Sequence, residues 1–184
     1  MLKFMLILGI IGHAINMYCD RRLSIFPNGT LCFQTIGHIK EEGFLKYILS
    51  GVPASVPMLS SVLGVFAIVF EFFGYLSIAL YAYSKSPLFG TLLFLAAIFL
   101  CILASGYHVK TELSEYVFIK LGMDEKAKDM MIDLMNNGTI LRLCFVGLIT
   151  YIIILIITII NGTIGFPLWS LLFTMRKSRS VPTI

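Results

Sequence analysis

Long apolar runs alternate with short polar connections along this chain. Residues 2–19, 56–83, 88–107 and 143–160 carry almost no charge, and a helix needs about 20 such residues to cross the hydrocarbon of a bilayer. Four transmembrane helices are therefore expected. The connection after the first run opens with a turn signal, Pro27-Asn28-Gly29. It continues with Ile36, Ile39, Phe44, Leu45, Ile48 and Leu49 set among Lys40, Glu41, Glu42 and Lys46, a spacing that predicts an amphipathic helix at the membrane interface. Residues 84–87, Ser-Lys-Ser-Pro, make the second and third spans an antiparallel hairpin. Residues 108–142 form a second polar connection with an amphipathic stretch over 124–135, closed by Asn136-Asn137-Gly138 as a helix stop.

The last apolar piece, residues 163–175, contains Pro167 and Trp169 and is short for a span. It reads as a re-entrant or interfacial segment with Trp169 among the headgroups, or as the start of a fifth helix. The predicted fold class is all-α: an integral membrane helical bundle of four transmembrane helices with amphipathic interfacial segments. Residues 1–175 form one transmembrane helical domain and 176–184 a basic tail. The first run resembles the apolar stretch of a signal peptide, but no small-residue cleavage site follows it, and it is retained as a helix.

Composition supports this reading. Hydrophobic residues make up 58% of the chain and charged ones 13%, outside the balance of a soluble domain. The net charge of +4 is too small and dispersed for a nucleic-acid partner; the lipid bilayer is the partner expected, with a multi-pass membrane location. Orientation is contested, because the tail residues Arg176, Lys177 and Arg179 favour a cytoplasmic C-terminus while Arg21 and Arg22 argue the opposite. Cys19, Cys32, Cys101 and Cys144 show no ligand spacing and read as small apolar fillers. Asn-Gly-Thr triplets at Asn28, Asn137 and Asn161 fit turns as well as they fit glycosylation.

The chemistry sits in a few polar residues placed where hydrocarbon is expected. Glu71 lies in the middle of the second run, and a carboxylate there costs a few kcal/mol or more unless it finds a partner inside a bundle. His13, Asn16 and Asp20 form one stripe on the first helix; His108, Glu112 and Glu115 repeat the arrangement at the end of the third. The first and third helices run the same way, which brings Asp20 and the His108 group to one membrane face. His13 leans inward and Glu71 outward on an antiparallel neighbour, so they are expected to meet. Gly64, Ala67, Glu71 and Gly74 share a small-residue face that admits a close neighbour. Phe70, Phe72, Phe73, Tyr75, Tyr81 and Tyr83 are expected to face lipid or its interface.

These seven residues, His13, Asn16, Asp20, Glu71, His108, Glu112 and Glu115, make a candidate polar pocket. Three uses are open. The first is binding of a small lipid-like or amphiphilic ligand. The second is acid/base isomerisation or metal-assisted hydrolysis, with His108 and Glu112 at i and i+4. The third is a scaffold whose polar pairs lock helices and whose small-residue face packs another protein. No cofactor is assigned, and the spacing names no metal site.

The 12–20 helix end, Gly106-Tyr107-His108 and Pro167-Leu168-Trp169 together resemble an uncharacterised family of bacterial polytopic membrane proteins. That resemblance implies a multi-span architecture in the cell membrane, with about six spans and so a C-terminal portion beyond this chain, and no chemistry. His13 to Asp20, together with Glu71 followed by Tyr81-Ala82-Tyr83-Ser84-Lys85, is similar to the four-span sterol isomerase and sigma-2 receptor group. That group binds sterol-like or cationic amphiphilic ligands in a cavity with buried acids, although the His–Asp spacing and the acids of the third helix depart from its pattern.

Overall fold

The computed structural model describes residues 1–31, 35–41, 43–136 and 138–165. Cys32, Glu42, Asn137, residues 166–175 with Pro167 and Trp169, and the basic tail lie outside the described residues. The chain runs α1 (Leu2–Ser24), β1 (Ile25–Phe26), β2 (Gly29–Thr30), a 3-10 helix (Ile36–Lys40), α2 (Phe44–Leu49), α3 (Ser55–Tyr83), α4 (Pro87–Lys120), α5 (Glu125–Asn136) and α6 (Thr139–Ile160). It is an all-α bundle in which, among the described residues, four helical stretches, Leu2–Ser24, Ser55–Tyr83, Pro87–Lys120 and Glu125–Ile160, are long and apolar enough to cross a membrane.

The bundle is assembled in sequence order, α1 on α3, α3 on α4 and α4 on α6. Lipid is as apolar as leucine, so helices gain little by hiding leucine from it, and contact faces favour small residues that let backbones approach. The α1–α3 seam follows this rule. A Cβ on Gly9 would stand 2.6 Å from the Gly74 Cα, and one on Gly12 would stand 2.5 Å from the Ala67 carbonyl oxygen. Ala79 and Ala82 of α3, Ala96 and Ala97 of α4, and Tyr151 and Ile159 of α6 fill the other interior. Large side chains such as Phe4, Ile10, Phe66, Leu95, Phe145 and Ile153 are exposed on the outside, as a lipid-facing surface requires. Three buried hydroxyls bond within their own helices: Ser77 donates to the Gly74 carbonyl, Ser114 to Lys110 and Thr158 to Ile154, whereas the Tyr151 hydroxyl has no partner among the described residues.

Several boundaries differ from expectation. The first helix continues from residue 19 to Ser24, and the fourth begins at Thr139. The third does not end at Tyr107 but runs on to Lys120, because residues 108–120 contain no Gly or Pro and only the apolar content stops. At 1.5 Å per residue α4 is about 51 Å long, against a hydrocarbon thickness of about 30 Å. Its start is tied to the tight α3–α4 turn, so the excess lies at its C-terminal end. The expected amphipathic helix over 36–49 is two pieces, broken at Gly43, whose φ is +75°.

The α4 extension carries a second core. Leu45, Ile48 and Leu49 of α2, Phe26 of the hairpin, and Ala127 and Met131 of α5 bury against Phe118. The amphipathic segments are thus present, and their buried apolar residues pack on one another and on α4. Asn28 locks this cap by donating to the Tyr47 and Ser50 carbonyls at 3.0 and 3.2 Å, filling acceptors that the end of α2 leaves open. Asp124 caps α5, accepting from the Ala127 N–H at 2.7 Å.

The seam makes a direct prediction. Gly12→Val forces α1 away from α3 and should cost about 1–3 kcal/mol, the usual range for overpacking, lowering the thermal midpoint in detergent. Gly106→Ala, where a Cβ would meet only Ile140 at 3.9 Å, should leave the midpoint unchanged or raise it slightly. Equal losses in the two variants would refute a backbone-contact seam.

Candidate functional site

The seven predicted residues fall into two groups along one side of α3. In the first, His13 Nδ1 lies 3.0 Å from Glu71 Oε1, and the Asn16 amide donates to the same oxygen at 3.1 Å. Gly12 makes this possible by letting α1 lie against the backbone of Glu71. Glu71 is 8% exposed and the His13 side chain 56%, so the carboxylate is shielded by α1 while the imidazole reaches the outer surface. The His13 ring meets Tyr75 edge-on at 5.9 Å, and Tyr75 meets Tyr151 of α6 at 4.9 Å. Tyr75 and Phe72 pack against the bundle core instead of facing lipid as expected, because they share the α3 side turned toward α4 and α6.

The second group stands where α4 leaves the expected hydrocarbon. His108 Nε2 is 2.8 Å from Glu112 Oε1, yet neither Glu112 oxygen has a hydrogen-bond partner among the described residues. The contact is close but misaligned, since the same nitrogen faces the Ser60 carbonyl at 3.3 Å. Gly64 creates the space for the ring: a Cβ there would fall 1.5 Å from His108 Nε2. Glu112 is fully buried and Glu115 5% exposed. Both line a cavity of about 420 Å³ together with Asp20, His108, Tyr107 and Thr111, closed by Leu23, Leu31, Ile39, Met131 and Met135.

Four of the seven candidates, Asp20, His108, Glu112 and Glu115, therefore share one cavity. His13, Asn16 and Glu71 are not among its lining residues. The small-residue face expected to receive another protein is occupied within the chain, by α1 at Ala67 and Gly74 and by His108 at Gly64. Among the described residues no group of three His, Cys, Asp or Glu is arranged to hold a metal ion. The sequence reading missed Ser60 and Gly64 as the seat of His108, and the cap residues that roof the cavity. It also missed a neighbouring cavity of about 510 Å³ that contains Lys40 and Lys110. Gly64 alone left a signal, as a small residue on the α3 stripe.

Fold and site together define an α-helical membrane bundle with buried carboxylates at the end of an overlong helix. The chain belongs to a family of unknown function, DUF6796, whose match spans residues 1–178. No curated protein and no solved structure matches it.

Replacing His13 by Leu leaves the buried Glu71 one donor short. This should cost about 1–3 kcal/mol of stability, the desolvation cost of an under-partnered polar group. Adding Glu71→Leu should recover most of the loss, since an apolar pair of similar shape is near neutral. Thermal unfolding of the two single variants and the double variant checks this; a double variant less stable than His13→Leu would rule out the coupling.

Proposed function

We propose that this is a multi-pass membrane protein that binds a small amphiphile through a cationic head group, held in the cavity of Asp20, His108, Glu112 and Glu115. The observation that carries the reading is Glu112, a fully buried carboxylate with His108 Nε2 at 2.8 Å and no aligned hydrogen bond to either oxygen among the described residues, in the wall of a cavity large enough for a ligand head. Buried carboxylates demand donors or counter-charge. Here two buried carboxylates, Glu112 and Glu115, and the exposed Asp20 line a cavity with one imidazole, an excess of acceptors that an ammonium group with its N–H donors would satisfy. Leu23, Leu31, Ile39, Met131 and Met135 supply apolar walls for the adjoining tail, the mixture of greasy lining and few polar anchors usual in ligand sites. The bacterial polytopic family that the sequence resembles would place such a protein in the cell membrane.

The test is thermal stabilisation of the purified protein by dodecylamine, with dodecanol as the neutral control. Dodecylamine should raise the midpoint and dodecanol should not, and Glu112→Gln should remove most of the difference while Glu71→Gln retains it. Equal responses to amine and alcohol in the unaltered protein would overturn the reading.

A further inference from the structure

Two cavities share one wall on α4, and the charges on its two flanks have opposite sign. Tyr107 and Thr111, together with Ile39 and Met135, line both the acidic cavity and the neighbouring one that contains Lys40 and Lys110. At 100° per residue, α4 presents Lys110, then Tyr107 and Thr111, then Glu115, His108 and Glu112 as a continuous arc. A cation stands at one edge of this arc, hydroxyl-bearing side chains in the middle, and carboxylates at the other edge. Tyr107 is about 30 Å along α4 from Pro87, one hydrocarbon thickness, so the arc sits at the depth of lipid head groups.

From this juxtaposition we infer that the ligand is a zwitterionic phospholipid whose head group carries a phosphate and a primary amine. The inference rests on the cationic-amphiphile reading and extends it. The ammonium enters the acidic cavity and donates to Glu112 and its acidic neighbours. The phosphate lies on the lysine side, where Lys40 and Lys110 supply charge; lysine binds phosphate as a point charge. A simple amine would leave the lysine cavity without a role, and a purely anionic lipid would meet the buried carboxylates with like charge.

The experiment measures affinities of the full chain in a nonionic maltoside for three single-chain probes: lysophosphatidylethanolamine, its N-acetyl derivative and dodecylamine. Lysophosphatidylethanolamine should bind about tenfold or more tighter than either of the others, the loss of one charge-assisted contact being worth roughly that factor. Lys110→Met and Lys40→Met should each weaken lysophosphatidylethanolamine severalfold and leave dodecylamine unchanged, whereas Glu112→Gln should weaken both. Lys40, exposed on the 3-10 helix, provides a variant with little risk to folding if Lys110→Met proves unstable. Tight dodecylamine binding with no gain from the phosphate, or lysine variants that weaken both probes alike, would overturn the phospholipid assignment and leave the amine reading standing. Failure of both lysophosphatidylethanolamine and dodecylamine to bind would overturn both.

Discussion

Gly9 meets Gly74 backbone to backbone, and the rest of the membrane-embedded structure depends on that contact. With a side chain at either position, α1 could not lie close enough for Gly12 to rest on the Glu71 backbone, and His13 and Asn16 could not reach the carboxylate. Glu71 would then face hydrocarbon with no donor, a state that costs several kcal/mol unless the group takes up a proton. The glycines and the polar triad thus form a single device. Close approach allows the hydrogen bonds, and the bonds justify a buried acid in a helix that otherwise has no reason to carry one.

The second constraint is the length of α4. A helix of about 51 Å cannot be accommodated by a bilayer without projecting from it, and the projecting turns need their own cover. The cap provides it: Phe118 of α4 is closed by residues from the hairpin, α2 and α5, while Asn28 ties the hairpin to the end of α2. This cover closes over Glu112 and Glu115 with Leu31, Ile39, Met131 and Met135, while His108 is seated against Ser60 and Gly64 of α3. On a bare helix end the two acids would be solvated by water and headgroups, and their carboxylates would ask nothing of the protein.

Much of this was legible in the sequence, for identifiable reasons. Apolar run length revealed the four helices, because the bilayer imposes one dimension on all of them. The His13–Glu71 pairing followed from antiparallel direction, helical rise and the lean of side chains toward the helix N-terminus. What escaped reading were features set by tertiary packing. The full extent of α4, to Lys120, escaped because hydropathy marks where the membrane ends and not where a helix ends. The inward turn of Phe72 and Tyr75 depends on which α3 face meets α6. The seat of His108 depends on the register of α3 against α4, which no local pattern specifies.

The division of the polar residues into two groups is the step that orders them functionally. Both groups contain an imidazole beside a buried carboxylate, so composition alone would treat them as equivalents. Their hydrogen bonding separates them. Glu71 accepts from Asn16 and faces His13, and it is not among the residues lining the Glu112 cavity, which is the arrangement expected of a helix lock. Glu112 sits beside His108 without an aligned bond, next to a second buried acid and an open volume. A group whose polar demands are met by its own chain has nothing left to offer a ligand, whereas an unmet demand facing a cavity is where selective binding energy is available. By that criterion the residue that stands out most in the sequence, Glu71, reads as scaffold, and Glu112 is the acid on which the proposed site rests.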